Sequence, residues 1–371
     1  MKLTRHARLA GVVLVGTLAL AACGSDDNTT GAASTVSGDG GDCATGTLNA
    51  EGSSAQKNAI EEAIASYQEK CTGATINYNP TGSGAGIKQF IAAQVDFAGS
   101  DSALKTEAKD GKVEADDAKA RCQGNPAWDL PMVAGPIAVA YNLSGVDKLV
   151  LSPEVAAKAF LGQITKWNDP AIAALNSGAT LPDKEIKVFY RSDESGTTEN
   201  FAKYLNTAAS SVWTEKPAKA WPGKVGEGRE KSAGVSEGVK QTDGGLTYVE
   251  WSYARDNDLG VAQIDNGGGA VELTAASASK ALEVAAPSGE GNDLKLKLDY
   301  ATKEAGTYPI VLVTYEVVCS KGLDADKTKL VKSFLKHFSS TEVQSGLTDL
   351  GYAPLPDSVR TKVVAAVDAI S

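Results

Sequence analysis

The 371-residue chain is acidic, since 46 Asp and Glu residues outnumber 36 Lys and Arg residues and give a formal net charge of −10. This charge argues against a nucleic-acid partner, because nucleic-acid binding requires a basic surface. It also means that any small-anion site in the chain must depend on short-range hydrogen bonds rather than on the overall field.

The first 22 residues have the pattern of an export signal. Three basic residues within the first eight precede an apolar run over residues 9–22, which is shorter than the ~20 residues that span a bilayer. Small residues then lead into Cys23, an arrangement that resembles the lipobox of bacterial lipoproteins. The resemblance implies a lipoprotein signal peptide over residues 1–22 and a lipid, such as palmitate, on Cys23. The protein is then expected outside the cytoplasm, held on the outer face of the cell membrane by this lipid alone.

Residues 23–45 are predicted to be a disordered tether, because they are mainly Gly, Ser, Thr and Asp and offer almost nothing to bury. The remainder is long enough for two domains. An even number of further cysteines in an exported chain predicts two disulfide bonds. The sequence leaves three pairings open among the candidates Cys43, Cys71, Cys122 and Cys319. Their spacing fits no zinc site, so no metal is expected.

Strand-like and helix-like segments alternate along the rest of the chain. The first helix is expected to end near Lys70, with Ser53 or Ser54 as its N-cap. Apolar strands are expected over residues 134–141 and 309–318, and the first of them is placed to cross between lobes. The alternation predicts an α/β fold with a mostly parallel sheet and helices on both faces.

Three segments share one design, a strand followed by a turn of small hydroxyl or glycine residues and then a helix. They are residues 52–55, 82–86 and 195–197. Each presents backbone N–H groups and a hydroxyl at the positive end of a helix, and such loops gather at the carboxyl edge of an open α/β sheet. Arg191 is predicted at the end of a neighbouring strand, where its planar fork suits two oxygens of an anion. The pattern indicates a site for a small oxyanion.

Five segments occur in an order that has a counterpart in a known family. They are residues 82–89, 96–101, 135–142, 191–197 and 248–250. Together they resemble the high-affinity phosphate-binding proteins of bacterial ABC phosphate transporters, over a match that runs from about residue 46 to the C-terminus. The lipobox and the extra cysteines resemble the actinobacterial branch of that family.

The resemblance implies a two-lobed clamshell of the periplasmic-binding-protein type, in which each lobe is a mostly parallel sheet flanked by helices. Residues 46–135 with 306–371 would form lobe I, and residues 136–305 would form lobe II. Inorganic phosphate would be held between the lobes and passed to the permease subunits of a membrane ABC transporter. A monomer without cofactor or catalytic activity is expected.

The same resemblance implies the site residues. Lobe I would supply Ser54, Ala55, Ser83 and Asp101, and lobe II would supply Arg191, Ser195, Gly196 and Thr197, with Asp193 orienting the guanidinium of Arg191. One departure concerns the first corner of the site. Many relatives have Thr-Phe where this chain has Ser54 and Ala55, although a hydroxyl and a backbone N–H are present in both cases.

Asp101 is the residue from which phosphate specificity is predicted. A carboxylate beside an anion is normally repulsive, but it becomes favourable when the anion donates a proton in a short O–H···O⁻ bond. Phosphate keeps at least one proton near neutral pH, whereas sulfate keeps none. A buried charge without its partner costs about 3–5 kcal/mol, so one acid turns an oxyanion site into a phosphate site.

Two other functions fit parts of the sequence. The chain could bind another tetrahedral oxyanion, such as sulfate or molybdate. A serine hydrolase or phosphatase would use Ser195 or Ser83 as nucleophile, but a serine needs a base. His337 is the one histidine outside the signal, and it is expected at a solvated helix end.

Overall fold

The computed structural model describes residues 43–109 and 111–371. The predicted signal peptide, Cys23 and most of the predicted tether lie outside the described residues. Of the tether, residues 43–45 are described, and the first of them, Cys43, is tied to Cys71 by a disulfide bond. Within the described ranges, no helix is long and apolar enough to cross a membrane.

The strands and helices alternate through most of the described chain. The strands are β1 (Gly46–Gly52), β2 (Ala74–Asn79), β3 (Phe97–Ser100), β4 (Ala127–Asn142), β5 (Val150–Leu151), β6 (Lys187–Arg191), β7 (Glu227–Arg229), β8 (Gly245–Glu250), β9 (Gly260–Val261), β10 (Gln263–Asp265), β11 (Ala270–Val271), β12 (Ala286–Pro287), β13 (Leu296–Lys297) and β14 (Val311–Cys319). The helices are α1 (Lys57–Lys70), α2 (Ser83–Ile91), α3 (Glu114–Arg121), α4 (Pro153–Phe160), α5 (Pro170–Leu175), α6 (Gly196–Ala208), α7 (Lys231–Lys240), α8 (Trp251–Asp256), α9 (Ala275–Glu283), α10 (Ala325–Phe338), α11 (Thr341–Gly346) and α12 (Asp357–Ala369), with a 3₁₀ turn at Leu347–Leu350.

The main sheet has the strand order β2-β1-β3-β14-β4-β8-β6-β7. Strands β2, β1 and β3 run parallel to one another, and so do β8, β6 and β7. The antiparallel strands β14 and β4 join these two parallel sets. Helices α1, α2 and α10 pack on the first set, and α6 and α7 pack on the second. The two sets with their helices form two lobes, so the α/β, two-lobed prediction is confirmed.

Strand β4 belongs to both lobes, as the apolar run over residues 134–141 predicted. Its first part, Ala127 to Pro136, pairs with β14, and its second part, Ile137 to Asn142, pairs with β8. The change of partner falls at a proline, which has no N–H to donate to a ladder. Nearly the whole strand is buried, which explains why its sequence is a continuous apolar run rather than an alternating one.

Each lobe has its own apolar core. In the first lobe, α1 and α10 pack Tyr67 against Phe334 with ring centroids 5.6 Å apart. In the second lobe, Phe201 of α6 stacks on Tyr248 of β8 at 4.7 Å. The Tyr248 hydroxyl accepts from the Arg191 N–H at 3.2 Å and lies 2.7 Å from Thr198 Oγ1, so packing of the second core fixes where the end of β6 and the start of α6 stand.

The structure contains the two predicted disulfide bonds and selects one of the three pairings. Cys43 bonds to Cys71 and Cys122 bonds to Cys319. The second bond joins the end of α3 to the end of β14 across 197 residues of sequence. Closing so long a loop restricts the unfolded chain strongly, and such bonds typically stabilise a fold by about 2–5 kcal/mol.

Candidate anion-binding site

The three loops predicted from the sequence meet at the boundary between the two lobes. All eight predicted site residues are buried, and the charged pair is almost fully so, with Asp101 3% and Arg191 2% exposed. The residues that the structure brings together are Ser54, Ala55, Ser83 and Asp101 from the first lobe and Arg191, Ser195, Gly196 and Thr197 from the second.

Arg191 is the last residue of β6, and its guanidinium is held from one side by a carboxylate. Its Nε donates to Asp193 Oδ1 at 2.7 Å, and its Nη2 donates to the other oxygen, so the pair is bidentate. Its Nη1 donates to Ser232 Oγ at 3.4 Å. Burial alone would lower the pKa of Arg191, but Asp193 outweighs burial and the net pKa is raised. The expected orienting role of Asp193 agrees with this geometry.

Asp101 follows directly after β3 and is enclosed by hydroxyl donors. Its Oδ2 accepts from Thr197 Oγ1 at 3.1 Å and its Oδ1 accepts from Thr314 Oγ1 at 2.9 Å. Its backbone N–H donates to Ser83 Oγ at 3.2 Å. Burial raises the pKa of Asp101, opposed by hydrogen bonds from Ser53, Thr314 and Thr197 and by the charge of Arg191. The carboxylate can therefore accept a further hydrogen bond in a protected setting.

Helix α6 begins at the site with a capped first turn. Ser195 is its N-cap and accepts from the Thr198 N–H at 3.2 Å. The N–H groups of Gly196 and Thr197 belong to this first turn, where the helix itself supplies no acceptor. With the positive end of the helix dipole, they favour an anion at this position.

Gly196 is required because the two lobes are in close contact there. A Cβ at this position would lie 2.6 Å from Asp101 Cβ and 2.7 Å from Ser83 Oγ. Both neighbours belong to the first lobe, so any side chain at residue 196 would hold the lobes apart. Gly82 of the first lobe also allows close contact between the lobes, since a Cβ there would lie 2.6 Å from Asp193 Oδ2 of the second lobe.

A Gly196→Ala variant is expected to bind the ligand of this site roughly ten- to a hundredfold more weakly, because overpacking a close contact costs about 1–3 kcal/mol. Isothermal titration with phosphate measures the loss. The matched control is Gly346→Ala, at a helical residue with φ −65° and open space around it. That variant should bind as the wild type does, and an unchanged affinity for Gly196→Ala would contradict the close-contact role.

The loop of residues 53–55 is held by its carbonyl groups. Tyr78 donates to the Ser53 carbonyl at 2.8 Å, Tyr253 donates to the Ser54 carbonyl at 2.9 Å, and Tyr352 donates to the Ala55 carbonyl at 2.7 Å. These three tyrosines lie in three separate parts of the fold, namely β2, α8 and the segment after the 3₁₀ turn. The Ser53 N–H also donates to the Gly99 carbonyl at 2.8 Å, so hydrogen bonds from several elements fix the position of this loop at the site.

The N-cap prediction for α1 is wrong. The N-cap is Gln56, without a side-chain cap bond, and neither Ser53 nor Ser54 caps the helix. Ser53 Oγ accepts from the Ala55 N–H at 3.1 Å, while Ser54 Oγ lies 3.0 Å from Ser232 Oγ in the other lobe. The tight turn before α1 places both hydroxyls at the lobe boundary instead.

Ser232 and Thr314 are site neighbours that the sequence analysis missed. Ser232 lies in the first turn of α7, and its N–H donates to Ser54 Oγ at 3.1 Å. The Gly- and Lys-rich sequence before residue 244 gave no prediction of a strand or a helix, but it contains β7 and α7. A hydroxyl at a helix start after a strand was the signal that could have found Ser232. Thr314 lies in the middle of β14 and has no such local signal.

Ion pairs between the lobes surround the mouth of the site. Lys88 pairs with Glu194, Lys105 pairs with Glu199, and Lys219 pairs with Glu114 at 2.7 Å. Burial favours the neutral form of Glu199, but Lys203 and Lys105 outweigh burial and lower the pKa of Glu199 to about 2. The lobes are therefore in contact both at the site and around its rim.

The groups at the site are suited to binding an anion through hydrogen bonds. Within the described ranges, no group of three or more His, Cys, Asp or Glu side chains could hold a metal ion.

His337, the candidate base for a serine nucleophile, lies on α10 with Nε2 2.8 Å from Ser66 Oγ. It is half-buried, and burial, with a smaller effect of Lys70, lowers its pKa. This differs from the solvated helix-end position expected for it.

The fold and site define a two-lobed solute-binding protein. A family model described as PBP superfamily domain matches residues 37–342. "Phosphate-binding protein PstS3" of Mycobacterium bovis is 46% identical over 378 aligned residues that cover 100% of both chains. "Phosphate-binding protein PstS" of Pasteurella multocida is 33% identical and covers 81% of this chain and 84% of its own. The chain belongs to the PBP superfamily and to the family of these phosphate-binding relatives.

Solved structures with lower sequence identity share the fold. A high-affinity periplasmic phosphate-binding protein bound with phosphate at pH 8.5 has a TM-score of 0.69 at 22% identity, covering 86% of this chain and 93% of its own. A phosphate-binding protein from Stenotrophomonas maltophilia has a TM-score of 0.62 at 19% identity, with the same two coverages. These similarities support the two-lobed architecture.

Proposed function

We propose that this protein captures inorganic phosphate between its two lobes and delivers it to a membrane ABC importer. The observation that carries the proposal is that a buried carboxylate, Asp101, and a buried guanidinium, Arg191, lie close enough for each charge to influence the other, among hydroxyl and N–H groups from both lobes. A fully ionised anion would meet repulsion from Asp101, whereas an anion that retains a proton can donate it there.

The proposed ligand contacts come from both lobes. The guanidinium of Arg191, the hydroxyls of Ser54, Ser83 and Ser195 and the N–H groups of Gly196 and Thr197 donate to phosphate oxygens. The Thr197 hydroxyl, which donates to Asp101 in this structure, and the Ala55 N–H, which donates to Ser53 Oγ, would exchange these partners for phosphate oxygens on binding. Asp101 accepts the proton of the ligand. Each hydrogen bond to a charged group is worth about 1.5–3 kcal/mol, so neither half of the site alone would bind as tightly as the closed cage.

The proposed lobes are residues 46–135 with 306–371 and residues 136–305. The exchange of partner strands in β4, from β14 up to Pro136 to β8 from Ile137, supports a boundary there. Phosphate would enter while the lobes are apart, and binding would close them by a hinge motion.

The cellular setting is proposed from the N-terminal sequence. A lipid on Cys23 would hold the protein on the outer face of the membrane, and residues 24–42 would let it reach the permease subunits of the importer as a monomer. Two disulfide bonds support an oxidising, extracytoplasmic location. Ser83 and Ser195 serve as hydrogen-bond donors in this proposal, and no catalytic step is assigned to them.

Isothermal titration with phosphate, arsenate and sulfate tests the function. Phosphate is expected to bind with one site per chain, and arsenate, which also retains a proton near neutral pH, is expected to compete with it. Sulfate in about hundredfold excess should not displace phosphate. Displacement by a modest excess of sulfate would favour a general oxyanion-binding protein, and binding of none of the three anions would overturn the proposal.

A further inference from the structure

Glu316 is a buried carboxyl group behind the site without a visible hydrogen-bond donor. It lies on β14 and is 0% exposed. Both of its carboxyl oxygens are buried, and neither has a hydrogen-bond partner among the described residues. A buried carboxylate without donors is very unfavourable, so the group is expected to be neutral.

The position of Glu316 places it against the loop of residues 53–55. Glu316 is directly opposite Gly99 of β3 in the antiparallel ladder, and directly opposed residues point to the same face of a sheet. The space above Gly99 is taken by two polar groups, because a Cβ there would lie 2.0 Å from Gln56 Nε2 and 2.6 Å from the Tyr78 hydroxyl. Glu316 is therefore a neighbour of the Gln56 amide, with which it interacts.

The side-chain amide of Gln56 has a hydrogen-bond partner for its nitrogen but none for its oxygen. Its Nε2 donates to the Tyr78 hydroxyl at 2.9 Å, and the Tyr78 hydroxyl donates to the Ser53 carbonyl at 2.8 Å. Its Oε1 is buried and has no donor among the described residues. Unsatisfied acceptors therefore occur in two neighbouring side chains, at Gln56 Oε1 and at the Glu316 carboxyl. A proton on one Glu316 oxygen would give Gln56 Oε1 a donor and would remove the charge from the carboxyl group.

We propose that Glu316 is a positioning residue of the anion site, which carries a proton in the folded protein and donates it to Gln56 Oε1. The hydrogen bonds then run from Glu316 through Gln56 and Tyr78 to the Ser53 carbonyl and fix the loop that supplies Ser54 and Ala55. This inference rests on the proposed function, because it assigns a proton-dependent element to the same phosphate site.

The surroundings of Glu316 oppose its ionisation at neutral pH. Burial, as the largest cause, and the charge of Asp101 raise the pKa of Glu316 to about 8, with Gln56 opposing them. The titratable groups that face it are Tyr78 of β2 and Asp101 after β3, while β4 presents Leu130. Burial also raises the pKa of Tyr78, which stays a neutral donor. Above pH 8 the chain of donors would fail, and a second negative charge would stand near Asp101.

The test is the pH dependence of the phosphate Kd for the wild type and for Glu316→Gln, measured by isothermal titration. The Gln side chain keeps a neutral N–H donor at every pH, so the phosphate affinity of the variant should not follow the ionisation of residue 316. If binding requires the protonated form, the affinity of the wild type relative to Glu316→Gln should fall by up to about thirtyfold by pH 9.5. The exposed control Glu283→Gln should follow the wild type. Parallel profiles for the wild type and Glu316→Gln would overturn the proposal.

A stability profile separates failure of this inference from failure of the proposed function. Because the folded pKa of Glu316 lies above its unfolded value, the wild type should lose stability relative to Glu316→Gln as pH rises from about 4.5 to about 8. Thermal unfolding of both proteins from pH 4 to pH 9 measures this difference without a ligand. Were phosphate not to bind at all, a growing difference would still support the proton on Glu316, and a constant difference would contradict it.

Discussion

An Arg191→Ala variant is expected to bind phosphate about a hundred- to ten-thousandfold more weakly than the wild type. The guanidinium is buried between the lobes, and its loss would leave the carboxylates of Asp101 and Asp193 close to the ligand without this countercharge. Removing one partner of a buried ion pair costs about 3–5 kcal/mol, which corresponds to roughly two to four decades of affinity. Isothermal titration with phosphate, or competition against a tighter binder, measures the loss.

Arg229→Ala is the matched control for that variant. Arg229 lies at the end of β7, directly opposite Arg191 in the parallel ladder, but its side chain is 46% exposed and pairs with Glu227. The variant removes one positive charge, as Arg191→Ala does, from the neighbouring strand. Because this charge is exposed to solvent, phosphate affinity should change by less than about threefold. A similarly small loss for Arg191→Ala would mean that the phosphate site lies elsewhere.

An Asp101→Asn variant is expected to lose discrimination between phosphate and sulfate. The amide has nearly the shape of the carboxylate, but it offers an N–H donor where the wild type offers an acceptor. Phosphate then loses the partner for its proton, while sulfate no longer meets a negative charge. The ratio of the phosphate and sulfate affinities should fall at least about tenfold, as measured by titrating both anions into both proteins.

Stability shows whether that loss is specific to the ligand. Burial raises the pKa of Asp101, so its ionised form costs stability at neutral pH and the neutral Asn should fold at least as well. The control is Asp129→Asn, at another buried acid, whose pKa is raised to about 7 by burial and by Asp293. This variant should change stability but not the anion ratio. Unchanged selectivity for Asp101→Asn would remove the assigned role of Asp101.

The sequence predicted those parts of the site that depend on short segments. Arg191 at a strand end and residues 195–197 at a helix start are both recognisable within about ten residues of sequence, because strand and helix periodicity are local. The resemblance then added Asp101 and Ser83 in their order along the chain. The structure places all of them at the lobe boundary.

The missed residues depend on contacts that are distant in sequence. Thr314 lies in a β-branched segment whose sequence is typical of a buried core strand. Its hydrogen-bond partner Asp101 is 213 residues away in the sequence. Glu316 is one acid in the same run, and only the register opposite Gly99 brings it next to Gln56. The N-cap assignment failed for a related reason, since the local preference of Ser54 for a helix start was outweighed by its contact with Ser232 in the other lobe.

The passage of β4 from one lobe to the other constrains any opening of the site. The two lobes share a continuous buried strand rather than a pliable linker, and Ile137 of that strand is also held by the Ile310 carbonyl and by the Tyr308 hydroxyl. A strand paired on both sides resists sliding and shear but tolerates bending at a point where its ladder changes partner. The proposed motion is therefore expected to be a bend near Pro136, where β4 changes its partner from β14 to β8. A bend at one fixed point would return Arg191 and Asp101 to the same relative alignment at each closure.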